Sequence, residues 1–320
     1  MRAVIHSHYG EADRLTVGEG AVPTPGKGQV ALSVRAASIN AADVFYMRGV
    51  PRMVRPGLGL VRPRRSALGM DVAGVVCGVG PGVSRWAVGD AVFGTGIATL
   101  AEVALAAEDQ LAALPDSVSF EHASTLGVAA VTALRGLAKA KVREGQRVLV
   151  AGAAGGVGQF AVQLAKVHGA HVTAVCSGRN VERVRQLGAD RVIDYETEDP
   201  LVAGPYDIVF DNAGGVRIKD WRRVVPKGGV ILPNAGTQGP DGGALMRVAK
   251  AQWHRIVAPQ RVLTFYASVT PAALEELGDH AAAGRIAPLI DTMFTLEHAP
   301  EALARVGTHH ARGKVIVTMG

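Results

Sequence analysis

The chain has 320 residues, 48% of them hydrophobic and 19% charged, with a formal net charge of +6. That length fits two moderate domains, and the composition supplies ample core material. With no basic n-region ahead of an apolar run and no apolar stretch of spanning length, neither a secretory leader nor a membrane anchor is expected, and the chain reads as cytoplasmic.

Met1 leads into a short strand-like run, Arg2 to His6, and the turn cluster Pro23 to Gly28 precedes a weakly alternating strand, Val30 to Ala37. From Gly69 to Gly82 apolar runs alternate with glycine, as in tightly bending strands, and Gly89 to Gly94 is a turn feeding another strand. The basic group between these strands, Arg52, Arg55, Arg62, Arg64 and Arg65, is interleaved with Pro and Gly. It reads as a solvated loop or as a mouth for an anionic substrate, and without interleaved aromatics no nucleic-acid partner is expected. Cys77 and Cys176 both lie in apolar strand-like runs, too few for a disulfide framework or a cysteine-rich zinc site.

The period changes near Phe120. Ala123 to Leu137 has helical spacing, Gln146 to Val150 is a buried strand, and Val157, Phe160, Ala161 and Leu164 mark a helix. A strand at His171 to Cys176, a helix capped by Asn180, and strands at Arg191 to Asp194, Tyr206 to Asp211, Gly229 to Leu232 and around Leu263 to Phe265 continue the alternation. This predicts a doubly wound parallel sheet. The segment 236–253 reads as mobile. The tail from Ile286 turns strand-like and returns to the first part. The expected fold is therefore α/β, with a mostly β domain over 1–121 and 288–320 and a dinucleotide-binding domain over 122–287.

The strand–turn–helix around Gly152-Ala153-Ala154-Gly155-Gly156-Val157-Gly158 is the context that dinucleotide binding requires. Gly155 admits the pyrophosphate and Gly158 lets helix pack on strand, although Ala153 replaces the first glycine of the usual pattern. Ala154, Gly155, Gly156 and Val157 are the expected phosphate contacts, facing the helix N-terminus. NAD enzymes place an acidic residue at the end of the second strand; here the run is Cys176-Ser177-Gly178-Arg179-Asn180. Ser177 and Arg179 suit a 2′-phosphate, with Asn180 beside them and Tyr195 placed to cover the adenosine, so NADPH is the expected cofactor.

These motifs, with Ala37-Ser38-Ile39-Asn40-Ala41-Ala42-Asp43, Gly69-Met70-Asp71, Val131-Thr132-Ala133, Leu187-Gly188-Ala189-Asp190, Asp211-Asn212-Ala213-Gly214-Gly215 and Arg312-Gly313-Lys314-Val315, resemble the medium-chain dehydrogenase/reductase superfamily in its zinc-free, quinone oxidoreductase-like branch. The resemblance spans essentially the whole chain. It implies a GroES-like catalytic domain plus a Rossmann domain, the nicotinamide in the cleft and a homodimer. It places Asn40 and Thr132 near nicotinamide or substrate, and Asn212, Ala213, Asn234, Ala235, Phe265 and Tyr266 on loops flanking the cofactor. Zinc alcohol dehydrogenases of the superfamily carry Cys and His where this chain has Asn40 and Met70, a donor pair that cannot make the usual site, so no metal is expected.

Hydride addition to an enone, enoyl group or quinone is easier without a Lewis acid than reduction of a simple ketone. Some enoyl reductases of the branch carry a Tyr where Pro51 stands, and quinone reductases carry one where Phe45 stands. Tyr46 then either donates the proton or merely lines the pocket while water donates. A metal-free carbonyl reductase or alcohol dehydrogenase, and a nucleotide-binding protein without turnover, stay open as alternatives.

Overall fold

The computed structural model describes residues 1–52, 55–64, 67–234, 240–308 and 310–319, with side chains of 243–245 excepted. The chain divides into two compact units, Met1–Val131 with Val269–Gly320, and Thr132–Ser268. The sequence reading set the joins at 121/122 and 287/288. None of the helices described is long and apolar enough to cross a membrane.

The first unit begins with a hairpin-like pair, β1 (Arg2–Ile5) and β2 (Thr16–Glu19), then the long strand β3 (Gln29–Ile39). Helix α1 (Ala41–Arg48) ends at Gly49, whose φ of 60° suits a residue without Cβ. A one-turn helix, α2 (Arg55–Leu58), and strands β4 (Asp71–Val79), β5 (Ala91–Thr95), β6 (Val103–Ala107) and β7 (Leu111–Ala113) follow. The helix expected over 123–137 is three pieces: α3 (Phe120–Ala123), a wide π-type turn over Leu126–Ala130, and α4 (Val131–Ala140).

The second unit alternates strand and helix: β8 (Arg147–Ala151), α5 (Gly156–Val167), β9 (His171–Cys176), α6 (Val181–Arg185), β10 (Arg191–Asp194), β11 (Ile208–Asp211), α7 (Ile218–Trp221), β12 (Val230–Pro233), α8 (Gly243–Val257) and β13 (Arg261–Val262). All six strands pair in parallel, in the order β10-β9-β8-β11-β12-β13. That order reverses direction between β8 and β11, the crevice where doubly wound sheets bind dinucleotides. The last strand is shorter and earlier than expected: Leu263 donates one more bond to Ile231 O, but 264–266 leave the sheet.

The chain then returns to the first unit through α9 (Pro271–Ala282), β14 (Ile290–Thr295), α10 (Ala299–Gly307) and β15 (Lys314–Thr318). Helix α9 was not anticipated. Its Gly278 packs beside Phe93 and Pro115, and Leu274 lies against Gly94, which is why this stretch belongs with the β unit. The seven-stranded sheet runs β14-β15-β3-β4-β5-β7, with β6 also on β3. Register shifts between β3 and β4 bend the sheet around one apolar core that includes Val30, Leu32, Val72, Leu100 and Val315.

Candidate active site

Antiparallel pairing builds the polar centre of the first unit. Strand β3 lies between β4 and β15, with Ile39 opposite Val315 and Ala36 opposite Ala73. The end of β3 therefore sits beside the starts of its two neighbours, which brings Ser38, Asn40, Asp71 and Lys314 together. Asp71 is fully buried and Lys314 is 2% exposed. The Asp71 carboxylate accepts from Ser38 Oγ (2.9 Å), Asn40 Nδ2 (2.8 Å), Lys314 Nζ (3.3 Å) and the backbone N–H of Val128 (2.7 Å). Gly127 leaves room for it, since a methyl there would approach Asp71 Oδ1 to 2.5 Å.

Lys314 also donates to Asn40 Oδ1 at 2.7 Å. The Asn40 amide is thus held between an ammonium on its oxygen and a carboxylate on its nitrogen, which settles its orientation chemically. Asp43 accepts from the Asn40 backbone N–H at 2.8 Å. Burial pushes the Asp43 carboxyl up to about 7, and the Asp71 charge adds to the effect. Ser38, Asp43, Asp71 and Lys314 stand in the motifs that carry the family resemblance, but only Asn40 of this cluster was assigned a site role from the sequence. The signals were present as charges interrupting apolar runs: Asp71 opening β4 and Lys314 opening Val315-Ile316-Val317.

Tyr46 lies elsewhere on α1. Its ring packs against His6, 5.8 Å between centroids, and is partly buried against the core. His6 in turn meets Tyr9, over which Arg55 stacks at 4.5 Å while its Nε donates to Gly49 O. Arg55 thus anchors the basic loop to the aromatic group, whereas Arg52, Arg62 and Arg64 are exposed and Arg65 lies outside the described residues. Met70 is 39% exposed, and its carbonyl accepts from Gly96 N–H. Among the described residues no group of three or more His, Cys, Asp or Glu is placed to hold a metal ion.

The second unit carries the expected cofactor residues. Gly152, not the position of Ala153, takes the left-handed conformation, with φ 71°. Ala153 donates its N–H to Val175 O and is buried, so the missing first glycine costs nothing here. A methyl at Gly158 would fall 2.1 Å from Gly152 O, so α5 sits on the turn only because that residue has no Cβ. Helix α5 starts at Gly156, leaving the N–H groups of Gly156, Val157 and Gly158 without intrahelical acceptors. Ala154 is buried beneath the turn.

At the end of β9, Ser177 is buried and Arg179 exposed. Asn180 begins α6, but its side chain makes no capping bond; its Nδ2 donates to Ser177 Oγ at 3.0 Å. The sequence reading overlooked Asp194. Parallel pairing sets Asp194 opposite Cys176, and a methyl at Gly178 would meet an Asp194 carboxylate oxygen at 2.6 Å. Burial, with the Asp194 charge adding, raises the Cys176 thiol to about 11, so it stays protonated. Tyr195 is 58% exposed beside this loop and Tyr266 91% exposed.

Where β11 ends, Asp211 Oδ1 accepts from the N–H groups of Ala213 and Gly214 at 3.0 and 2.8 Å. Asn212 Oδ1 accepts from Asn234 Nδ2 at 2.8 Å, while Asn212 Nδ2 is buried with no partner among the described residues. Phe265 meets Phe210 edge to face at 6.1 Å, and both press on α4 at Gly136. Thr132 is half-buried at the start of α4. Ala235 lies outside the described residues. The segment read as mobile is, from residue 240 on, a turn leading into α8, with Asp241 and Arg247 buried; 236–239 lie outside the described residues. An unspent buried amide, free helix N–H groups and a glycine cradle fit a dinucleotide.

A Rossmann unit with this turn at its switch point, carried by a chain that also folds a seven-stranded β unit, is the architecture of a dinucleotide-binding protein. Residues 26–116 match the alcohol dehydrogenase GroES-like domain, and residues 187–317 match the family described as zinc-binding dehydrogenase. The chain is 35% identical to quinone-oxidoreductase QR1, chloroplastic, of Triphysaria versicolor, over 99% of this chain and 98% of that one. It is 31% identical to the NADPH-dependent alkenal/one oxidoreductase, chloroplastic, of Arabidopsis thaliana, over 99% of this chain and 79% of that one. The quinone oxidoreductase from Coxiella burnetii superposes with a TM-score of 0.87 at 29% identity, covering 99% of each chain. The chain belongs to the medium-chain dehydrogenase/reductase superfamily, in its quinone oxidoreductase-like branch. It is an NAD(P)H oxidoreductase with a small-molecule substrate.

Proposed function

We propose that this protein uses NADPH to reduce an activated C=C bond, in an enone or enoyl group, or a quinone, without a metal. The observation that carries the reading is the state of Asn40. Its oxygen accepts from the Lys314 ammonium and its nitrogen donates to Asp71, so the residue standing where the superfamily's zinc alcohol dehydrogenases carry a ligand is committed to a salt-bridged scaffold. With Met70 as its neighbour in that ligand pair, these residues offer a carbonyl oxygen no strong electrophile. Charge developing on an enolate or hydroquinone is delocalised and needs less help.

A reduced nicotinamide, when bound, supplies the hydride. Ala154, Gly155, Gly156 and Val157 would hold the pyrophosphate, and Ser177, Arg179 and Asn180 the 2′-phosphate, with Tyr195 over the adenosine. Asn212, Ala213, Asn234, Ala235, Phe265 and Tyr266 would shape the nicotinamide's surroundings. Thr132 and Asn40 would orient cofactor or substrate. Tyr46, turned to His6, would be a wall residue, leaving protonation to water.

The enzyme is proposed to be cytoplasmic and homodimeric. Met246, Trp253, Ile256 and Val257 on α8, and Tyr266 beyond the edge strand β13, expose an apolar surface in the Rossmann unit that suits a second copy. Reduced-cofactor consumption on a panel of enones, quinones and simple ketones, repeated in a strong chelator, tests the activity. Turnover of the first two that survives chelation is expected; turnover confined to ketones, or lost on chelation, contradicts it.

A further inference from the structure

A buried ionic cluster in the Rossmann unit ties Asp211 to α8. Asp211 is fully buried, and its Oδ2 accepts from Trp221 Nε1 at 2.8 Å and from Arg247 Nη2. Arg247, on α8, has a side chain 4% exposed. Its Nη1 lies 3.3 Å from Asp241 Oδ2, 3.3 Å from Val216 O and 3.4 Å from Gly214 O. Asp241 also accepts from the Ile218 N–H at 3.0 Å and Lys250 Nζ at 3.3 Å. The formal charges of Asp211, Asp241, Arg247 and Lys250 cancel.

One guanidinium therefore grips both ends of a short loop: the carboxylate that starts it at Asp211 and the carbonyls that leave it at Gly214 and Val216. Asn212, whose buried Nδ2 has no partner among the described residues, lies between those grips. An apolar set of similar volume would fasten α8 at least as firmly, because burying ions carries a large desolvation cost. What the ionic set adds is direction, since a planar fork with fixed N–H vectors permits one loop conformation.

We propose that Arg247 is a positioning residue for the dinucleotide, acting through Asp211 and the 212–216 backbone to aim Asn212 and Ala213. The proposal rests on the dinucleotide-binding reading given above. It differs in kind from the role of Arg179: a residue that shapes the nicotinamide-side loop affects NADPH and NADH alike.

The test uses the full-length protein with Arg247→Met, the double variant Asp211→Asn with Arg247→Met, and Asp241→Asn. The double variant removes both partners of the Asp211–Arg247 pair, so no lone carboxylate stays buried at position 211. NADPH and NADH affinities are read by cofactor fluorescence, and amide hydrogen exchange at Ala213 and Gly214 is read without cofactor. Both Arg247→Met proteins are expected to exchange faster at these two amides and to bind each dinucleotide at least about tenfold more weakly. Asp241→Asn, which keeps the Arg247–Asp211 contact, is expected to lose about threefold or less. Unchanged affinity and exchange in a folded Arg247→Met protein or in the double variant would overturn the proposal. A wild-type chain that binds neither dinucleotide would overturn the functional reading, and the proposal with it.

Discussion

The Asn40 cluster in the GroES-like unit and the Asn212 loop in the Rossmann unit are built on one plan with different endings. Each sets an asparagine beside a fully buried aspartate paired with a cation, Asp71 with Lys314 and Asp211 with Arg247. In the first, the amide oxygen and one amide hydrogen are consumed inside the protein. In the second, the oxygen is taken by Asn234 while the amide nitrogen is buried with no partner among the described residues. Buried donors are rarely left unpaired in folded proteins, and a dinucleotide held as proposed above is a partner that would complete this one. The closed cluster supports; the open loop waits.

The largest effect that would break this contrast is on stability. Asp71→Asn leaves the Lys314 ammonium, 2% exposed, without its carboxylate, and is expected to cost about 3–5 kcal/mol in denaturant unfolding. Adding Lys314→Met should recover most of that loss, because no charge then stays buried alone. A single-variant loss below about 1 kcal/mol would show that the cluster supports little.

A smaller effect sharpens the open side. Arg179→Ala should weaken NADPH by about 1.5–3 kcal/mol, the range for charged hydrogen bonds, and leave NADH nearly unchanged. Equal losses for both cofactors would return the adenosine end to a generic surface.

The last effect is a pH slope. Asp43 faces the Asn40 N–H, Asp71 and Lys314, and its carboxyl is pushed up from 3.8 to about 7 in the fold. Between those values the native state holds a proton that the unfolded chain has released. Its contribution to stability is therefore present below about pH 4 and lost as pH rises to about 7, by up to about 1.4 kcal/mol per pH unit. Asp43→Asn should flatten that slope in unfolding series at pH 5, 6 and 7. Identical slopes in the two proteins would refute the assignment.

What was legible in the sequence is what is local. Val148-Leu149-Val150, the glycine turn and the spacing of Phe160, Ala161 and Leu164 lie within one strand–turn–helix, so their pattern carries their structure. Asp71 and Lys314 are 243 residues apart, and Asp211 and Arg247 are 36 apart; only strand order and helix placement join them. Asp194 reaches Gly178 through parallel register, which no spacing rule reveals. The segment after residue 240 looked mobile because Pro240, Gly242 and Gly243 suggest a loop, yet buried ion pairs fasten the helix that follows. Besides their place in the family motifs, Asp71, Asp211 and Lys314 share one sequence signal, a charge at the edge of an apolar run.

The central claim, hydride delivery to an activated C=C bond by a protein whose Asn40 offers no metal-assisted route to the carbonyl, is tested most directly with NADPH deuterated at the transferring C4 position and an enone substrate. Locating the label in the product by NMR decides it. The account predicts deuterium on the carbon β to a surviving carbonyl; deuterium on a carbinol carbon would contradict it.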